Sequence, residues 1–203
     1  MKTGGGTDML LEKSLIEYCS PTLASIKPAN LFSHPFSSEM DLASQLTCLN
    51  DQLGEKGISL LLLCRRGNKA LIYVYRKALL QADLNRPEVS KFLQAYGYEH
   101  MEVEAALNRL KERLNQEGEF PHEIGVFLGY PLGDVVGFIQ NGGKNCKCTG
   151  CWKVYSNECE AVKLFARYKK CRTMYVHLWK NGRTIWQLTV SLPENKEKRN
   201  KKP

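Results

Sequence analysis

The chain has 203 residues, of which 43% are hydrophobic and 25% charged. That is globular composition, which excludes wholesale disorder and allows one sizeable domain to bury roughly 70% of the surface its unfolded form exposes, without help from metal or disulfides. The longest purely apolar run, Leu60 to Cys64, is far short of the ~20 residues of a membrane helix. Met1 to Gly6 carries no signal-peptide hydrophobic region, so a cytoplasmic protein with reduced cysteines is expected.

In chain order, Leu11, Leu15, Ile16 and Cys19 recur at helical spacing, and Ser20-Pro21 predicts the hand-over to a second short helix. Lys27-Pro28-Ala29-Asn30 reads as a breaker. Ser38 with Asp41 starts a helix whose apolar face includes Leu42, Leu46 and Leu49 or Leu53, and Gly54 and Gly57 end it. Residues 58–64 and 69–75 are rich in strand formers and flank Arg65-Arg66-Gly67-Asn68, which predicts a β-hairpin. Pro87 opens a helix through Phe92 and Tyr96; Val103, Leu107, Leu110 and Leu114 mark another, stopped by Gly118. His122 to Gly129 reads as a buried strand, and Pro131 as the start of a helix through Val135, Val136 and Ile139.

Asn157 with Glu160 resembles a helix cap ahead of the stripe Ala161, Leu164, Phe165 and Tyr168. Met174 to Trp179 reads as a last strand, Asn181-Gly182 as a turn, and residues 183–192 as a closing helix in preference to a hairpin partner. The expected fold is α/β, with α+β as the alternative: a single domain over residues 1–193, a mixed sheet of about four or five strands with flanking helices, and a disordered basic tail over 194–203.

Four segments carry a resemblance: Cys19-Ser20-Pro21-Thr22-Leu23-Ala24; Ala70-Leu71-Ile72-Tyr73-Val74-Tyr75-Arg76; the run from Phe120 to Pro131; and Cys151-Trp152-Lys153-Val154-Tyr155. With them the chain resembles a bacterial family known as domain of unknown function 3793, over nearly its whole length. The resemblance implies one intact domain and brings no activity, cofactor or catalytic residue with it.

The densest chemical signal is Cys146-Lys147-Cys148-Thr149-Gly150-Cys151, where Cys148 and Cys151 have the spacing that lets two sulfurs of one turn reach a single metal or each other. A closed zinc or iron site needs further ligands from elsewhere, Cys171 or Cys146 first among them. The alternatives are a redox dithiol and incidental cysteines, so the leading expectation is an accessory protein with a cysteine-based metal-binding or thiol-redox site. An enzymatic alternative takes Cys19 as nucleophile, His122 as base and Glu123 or Asp134 as orienting acid, against the commoner state of a buried, inert cysteine.

Charge supplies a third expectation. Residues 144–183 hold ten Lys and Arg against two acids, whereas residues 1–143 hold fourteen against seventeen. Lys163, Arg167, Lys169, Lys170 and Arg172 cluster on or after the predicted helix beyond Asn157, which suits nucleic acid; a solvated helix face has the same composition. The phosphate-loop motif fails, because Gly143-Lys144 lacks the glycine needed at Phe138 and the hydroxyl needed at Asn145, so nucleotide binding would have to use another scheme.

Overall fold

A computed structural model describes residues 5–116 and 118–191, with side chains from Leu11 onward. The elements run α1 (Gly5–Leu23), β1 (Ala29–Pro35), α2 (Glu39–Gly54), β2 (Ser59–Arg66), β3 (Lys69–Tyr75), α3 (Lys77–Leu84), α4 (Pro87–Gln94) and α5 (Val103–Asn115). They continue with α6 (Ile124–Phe127), α7 (Leu132–Gln140), β4 (Cys148–Thr149), β5 (Lys153–Val154), α8 (Glu158–Lys180) and α9 (Ile185–Leu188). The α/β expectation holds. The five strands among the described residues divide between an antiparallel sheet in the order β1-β3-β2 and a separate two-stranded ribbon, β4-β5.

Period-two alternation along β3 makes the three-stranded sheet a partition between two cores. Ala70, Ile72 and Val74 face a cluster shared with α1, α2 and α9, while Tyr73 faces one shared with α3, α4, α5 and α6. A bulge between Leu62 and Cys64 lets Leu63 join the second cluster. Several helix starts follow the sequence: Ser38 accepts from the Asp41 N–H, Pro87 stands in the first turn of α4, and Asn157 accepts from the Glu160 N–H. Residues 183–192 contain the predicted helix as α9, where Thr184 and Gln187 form a reciprocal capping box.

Four local expectations are corrected. Residues 122–129 hold the single-turn helix α6 (Ile124–Phe127) between turns, not a strand; Ile124, Gly125, Val126 and Phe127 are all buried, so no polar face exists to display a period. Residues 174–179 continue α8, because Tyr175, Leu178 and Trp179 at helical spacing pack on the first core cluster against α1. The stretch after Lys27-Pro28 is the edge strand β1, which pairs along its length with β3. And α1 runs through Pro21 to Leu23 as one helix. The expected tail, 194–203, lies outside the described residues.

Pro21 has no N–H and leaves one ladder bond of α1 unmade near its C-terminus, where the helix has only two residues left to run. The last carbonyls are taken by other groups: Arg76, which is 0% exposed, donates from Nε to Thr22 O (2.7 Å) and from Nη2 to Leu23 O (2.7 Å) and Val190 O (2.7 Å). Its Nη1 reaches Lys56 O at 3.0 Å. A guanidinium at the negative end of a helix dipole is stabilised there without a carboxylate. Lys56 Nζ in turn donates to Trp186 O (2.6 Å) and Thr189 O (2.8 Å), so two cations clasp the α9 segment to the sheet side of the molecule.

Candidate functional site

The cysteine-rich loop folds as the β4-β5 ribbon, with Cys148 opposite Val154 and Thr149 opposite Lys153. Gly150-Cys151-Trp152 closes it through a bond from Gly150 N to Trp152 O of 3.0 Å. Asp134, in the first turn of α7, holds the ribbon in place. Its Oδ2 accepts from Trp152 Nε1 (2.7 Å), and its Oδ1 accepts from Tyr155 N (2.8 Å), Ser156 N (2.7 Å) and Ser156 Oγ (2.7 Å). Burial alone would raise this carboxyl; the bonds from Ser156, Tyr155 and Trp152 outweigh it and hold Asp134 below its ordinary value.

Aromatic packing fixes the loop from the other side. The Trp152 ring stacks on Tyr130 (4.8 Å between centroids) and meets Phe165 of α8 edge-on at 4.6 Å. Gly150 lies so close to Phe165 that a Cβ would come within 2.2 Å of the ring, which is a packing reason for glycine there.

Between this ribbon, α8 and the α1-β1 connection lies a cleft of about 500 Å³ whose walls include Lys27, Tyr130, Cys151, Tyr168, Lys169 and Arg172. Asn30 and Tyr18 also face it, and none of its lining residues is acidic. Lys27 is delivered by the turn after α1, where Ser25 takes a left-handed conformation (φ 58°) and Ile26 N bonds to Pro21 O. Lys27 is only 5% exposed. Its ammonium stands 5.1 Å from the Tyr130 ring centroid and 6.0 Å from that of Tyr168, and among the described residues no carboxylate forms an ion pair with it. Burial lowers Lys27 to about 8, with the Cys151 and Cys19 sulfurs acting in the opposite direction.

A second hollow of about 280 Å³ lies across the 149–152 turn, lined by His122, Ile124, Val135, Phe138 and Trp152, and it shares Tyr130, Gly150 and Cys151 with the cleft. Tyr130 Oη donates to Cys151 O over 3.4 Å where the two adjoin.

The sequence-derived candidates fall in different places. Cys151 is exposed and faces the cleft; partial burial raises its thiol, while Lys27 and Arg172 pull the other way. Cys148 is half-buried on the small cluster of Trp152, Val154, Ala161 and Tyr168, and burial and the neighbouring Glu158 raise it. The two sulfurs of the C-x-x-C pair thus meet opposite charges. Cys146 Sγ lies 3.5 Å from Thr149 Oγ1, and Cys171, half-buried in α8, is raised to about 11 by burial. Among the described residues no group of three or more His, Cys, Asp or Glu side chains is placed to hold a metal ion, so the donor set that zinc or iron would require is not assembled there.

Cys19 is fully buried in the first core cluster, and burial pushes its thiol far above the ordinary range. The His122 ring packs tilted against Phe138 (4.9 Å) and Phe120 (5.8 Å), in a different part of the molecule's packing from Cys19. Glu123 is engaged by Arg113 and by Tyr98 Oη (3.1 Å), and Asp134 by the ribbon, so both acids proposed to orient His122 have other partners. Of the five basic residues considered for nucleic acid, Lys169 and Arg172 line the cleft, Lys163 pairs with Glu160 at 2.8 Å, and Arg167 and Lys170 are exposed. The residue that sequence reasoning passed over is Lys27, whose only signal was a cation beside Pro28.

Residues 15–189 match the family described as Protein of unknown function (DUF3793). No curated protein and no solved structure matches the chain.

Proposed function

The chain belongs to the DUF3793 family, whose description names no activity, and from the geometry of the cleft we propose that it is a binding protein for a small organic anion. The anion is held among Lys27, Lys169 and Arg172, with the Cys151 thiol against it. The observation that carries this reading is the buried Lys27 ammonium facing an acid-free cleft. A buried cation without a counter-ion costs several kcal/mol, of which two aromatic faces return about 1–2. An anion 4 Å away is worth about 4 kcal/mol at the effective dielectric of a protein surface. The volume of about 500 Å³ falls in the usual range for small-molecule sites. This keeps the cysteine ribbon as the functional element and makes Cys151, not the C-x-x-C pair, its working thiol. It also accounts for Lys169 and Arg172 without a nucleic acid.

The test is thermal melting and titration calorimetry with pyruvate, inorganic phosphate and benzoate. Saturable stabilisation is expected, about 2.7 kcal/mol at a hundred times Kd. It should weaken in Arg172→Gln and survive in Lys163→Gln. If none of the three anions raises the melting temperature saturably, the reading is wrong.

A further inference from the structure

We propose that Lys27 is an amine nucleophile that condenses with the carbonyl carbon of a small 2-oxo acid whose carboxylate rests on Arg172 and Lys169. This rests on the cleft being an anion site and adds a covalent step to it. Three features of the cleft carry the inference. First, Lys27 is more than nine-tenths buried yet lines the cavity, so its amine meets whatever enters. Second, no carboxylate among the described residues ties it down as an ion pair, and its neighbours are the ring faces of Tyr130 and Tyr168. Desolvation in such surroundings is a condition under which a lysine becomes a nucleophile. Third, the cleft offers two cations for a carboxylate besides the amine itself, because Lys169 and Arg172 line it from α8 whereas Lys27 lines it from the α1-β1 turn.

The step balances without a co-reactant. The neutral amine attacks the carbonyl carbon, a C–N bond forms, and the carbonyl oxygen takes a proton to give a carbinolamine. The C–O bond then breaks and that oxygen leaves as water. From ammonium and ketone the products are one protonated imine and one water, with charge conserved. Proton donors stand in the cleft: burial raises Tyr130 to about 12 and raises Tyr168 as well, so both hydroxyls stay protonated at neutral pH. Lys27 supplies free amine in the same range. With a value of about 8 it is about one-quarter neutral at pH 7.5, where an ordinary lysine is about 0.1% neutral.

The experiment incubates the full chain with pyruvate and sodium cyanoborohydride at pH 7.5, then maps adducts by peptide mass spectrometry. One adduct is expected, with the mass of a pyruvate less an oxygen atom, on Lys27. It should form on the order of a hundred-fold faster than on any other lysine, following the free-amine fractions, and inorganic phosphate should compete with it. Mapping on the wild-type chain avoids dependence on a variant that fails to fold; Lys27→Arg serves as a second check and should give no adduct there. Adducts spread over exposed lysines with no preference for Lys27 would overturn the inference. If pyruvate raises the melting temperature in an Arg172-dependent way and Lys27 stays unmodified, the imine is refuted while the anion site stands. If pyruvate gives neither stabilisation nor adduct, and phosphate and benzoate give no stabilisation, the anion site falls with it.

Discussion

Asp134→Asn isolates the group that attaches the ribbon to the rest of the protein. The aspartate accepts four hydrogen bonds, and bonds to a charged group contribute about 1.5–3 kcal/mol each where neutral ones contribute about 0.5–1.5. Asparagine can turn its carbonyl oxygen to Tyr155 and Ser156 and keep three bonds at the neutral value, losing about 1 kcal/mol on each. Its amide then points at Trp152 Nε1, which is itself only a donor, so that bond becomes a clash of donors. With the Trp152 bond lost outright, the expected loss is about 4.5–6 kcal/mol, or a urea midpoint lowered by about 2–3 M for a slope near 2 kcal/mol/M. The assay is urea unfolding followed by tryptophan fluorescence, with hydrogen exchange of the Tyr155 and Ser156 amides as the local readout. A midpoint within about 0.3 M of wild type, with unchanged exchange, would refute the reasoning. In the wild type the same interaction depends on pH. Because the folded value lies below the ordinary 3.8, its stabilisation is fully present above that pH and is lost as the pH falls through the lower folded value.

Two further predictions concern the loop and the core. Gly150→Ala drives a methyl into the Phe165 ring and should cost about 1–3 kcal/mol, with recovery in the double variant that also carries Phe165→Leu; a neutral Gly150→Ala would show that the loop does not rest on α8. Iodoacetamide at pH 7.5 should modify Cys48, Cys151 and Cys159, which are exposed, and leave Cys19 untouched until the chain unfolds. Fast native-state labelling of Cys19 would revive the hydrolase reading.

Where the sequence was legible, the signal was local chemistry. Ser38, Pro87, Asn157 and the hairpin turn at 65–68 each act within a few residues, and each does so in the structure. The misreadings share a different cause: tertiary burial that overrides a short pattern. Residues 174–179 are strand-like in composition, but α1 packs on α8 and their apolar side chains serve that contact as helix. The site divides in the same way. Cys151 stood out by spacing, and Lys169 and Arg172 by charge, although for another ligand. Lys27 did not stand out, because the cleft is assembled from an α1-β1 turn, a ribbon and a helix far apart along the chain.

The clasp formed by Arg76 and Lys56 has a consequence for synthesis. Arg76 reaches Val190 across 114 positions, and Lys56 reaches Thr189 across 133. A ribosome supplies residues from the N-terminus at about 5–20 per second. Helix α1 and the three-stranded sheet are therefore made many seconds before the carbonyls that complete the shells of these two cations emerge. Until then Arg76 has its α1 partners but not its last one, and Lys56 Nζ lacks both of its carbonyls. Closure waits for the last turn of the described chain, so a nascent or truncated polypeptide ending before α9 leaves the Lys56 ammonium without its two carbonyls and Arg76 short of one partner. Completing α9 is therefore the step that closes both shells and joins the two ends of the described chain across the sheet.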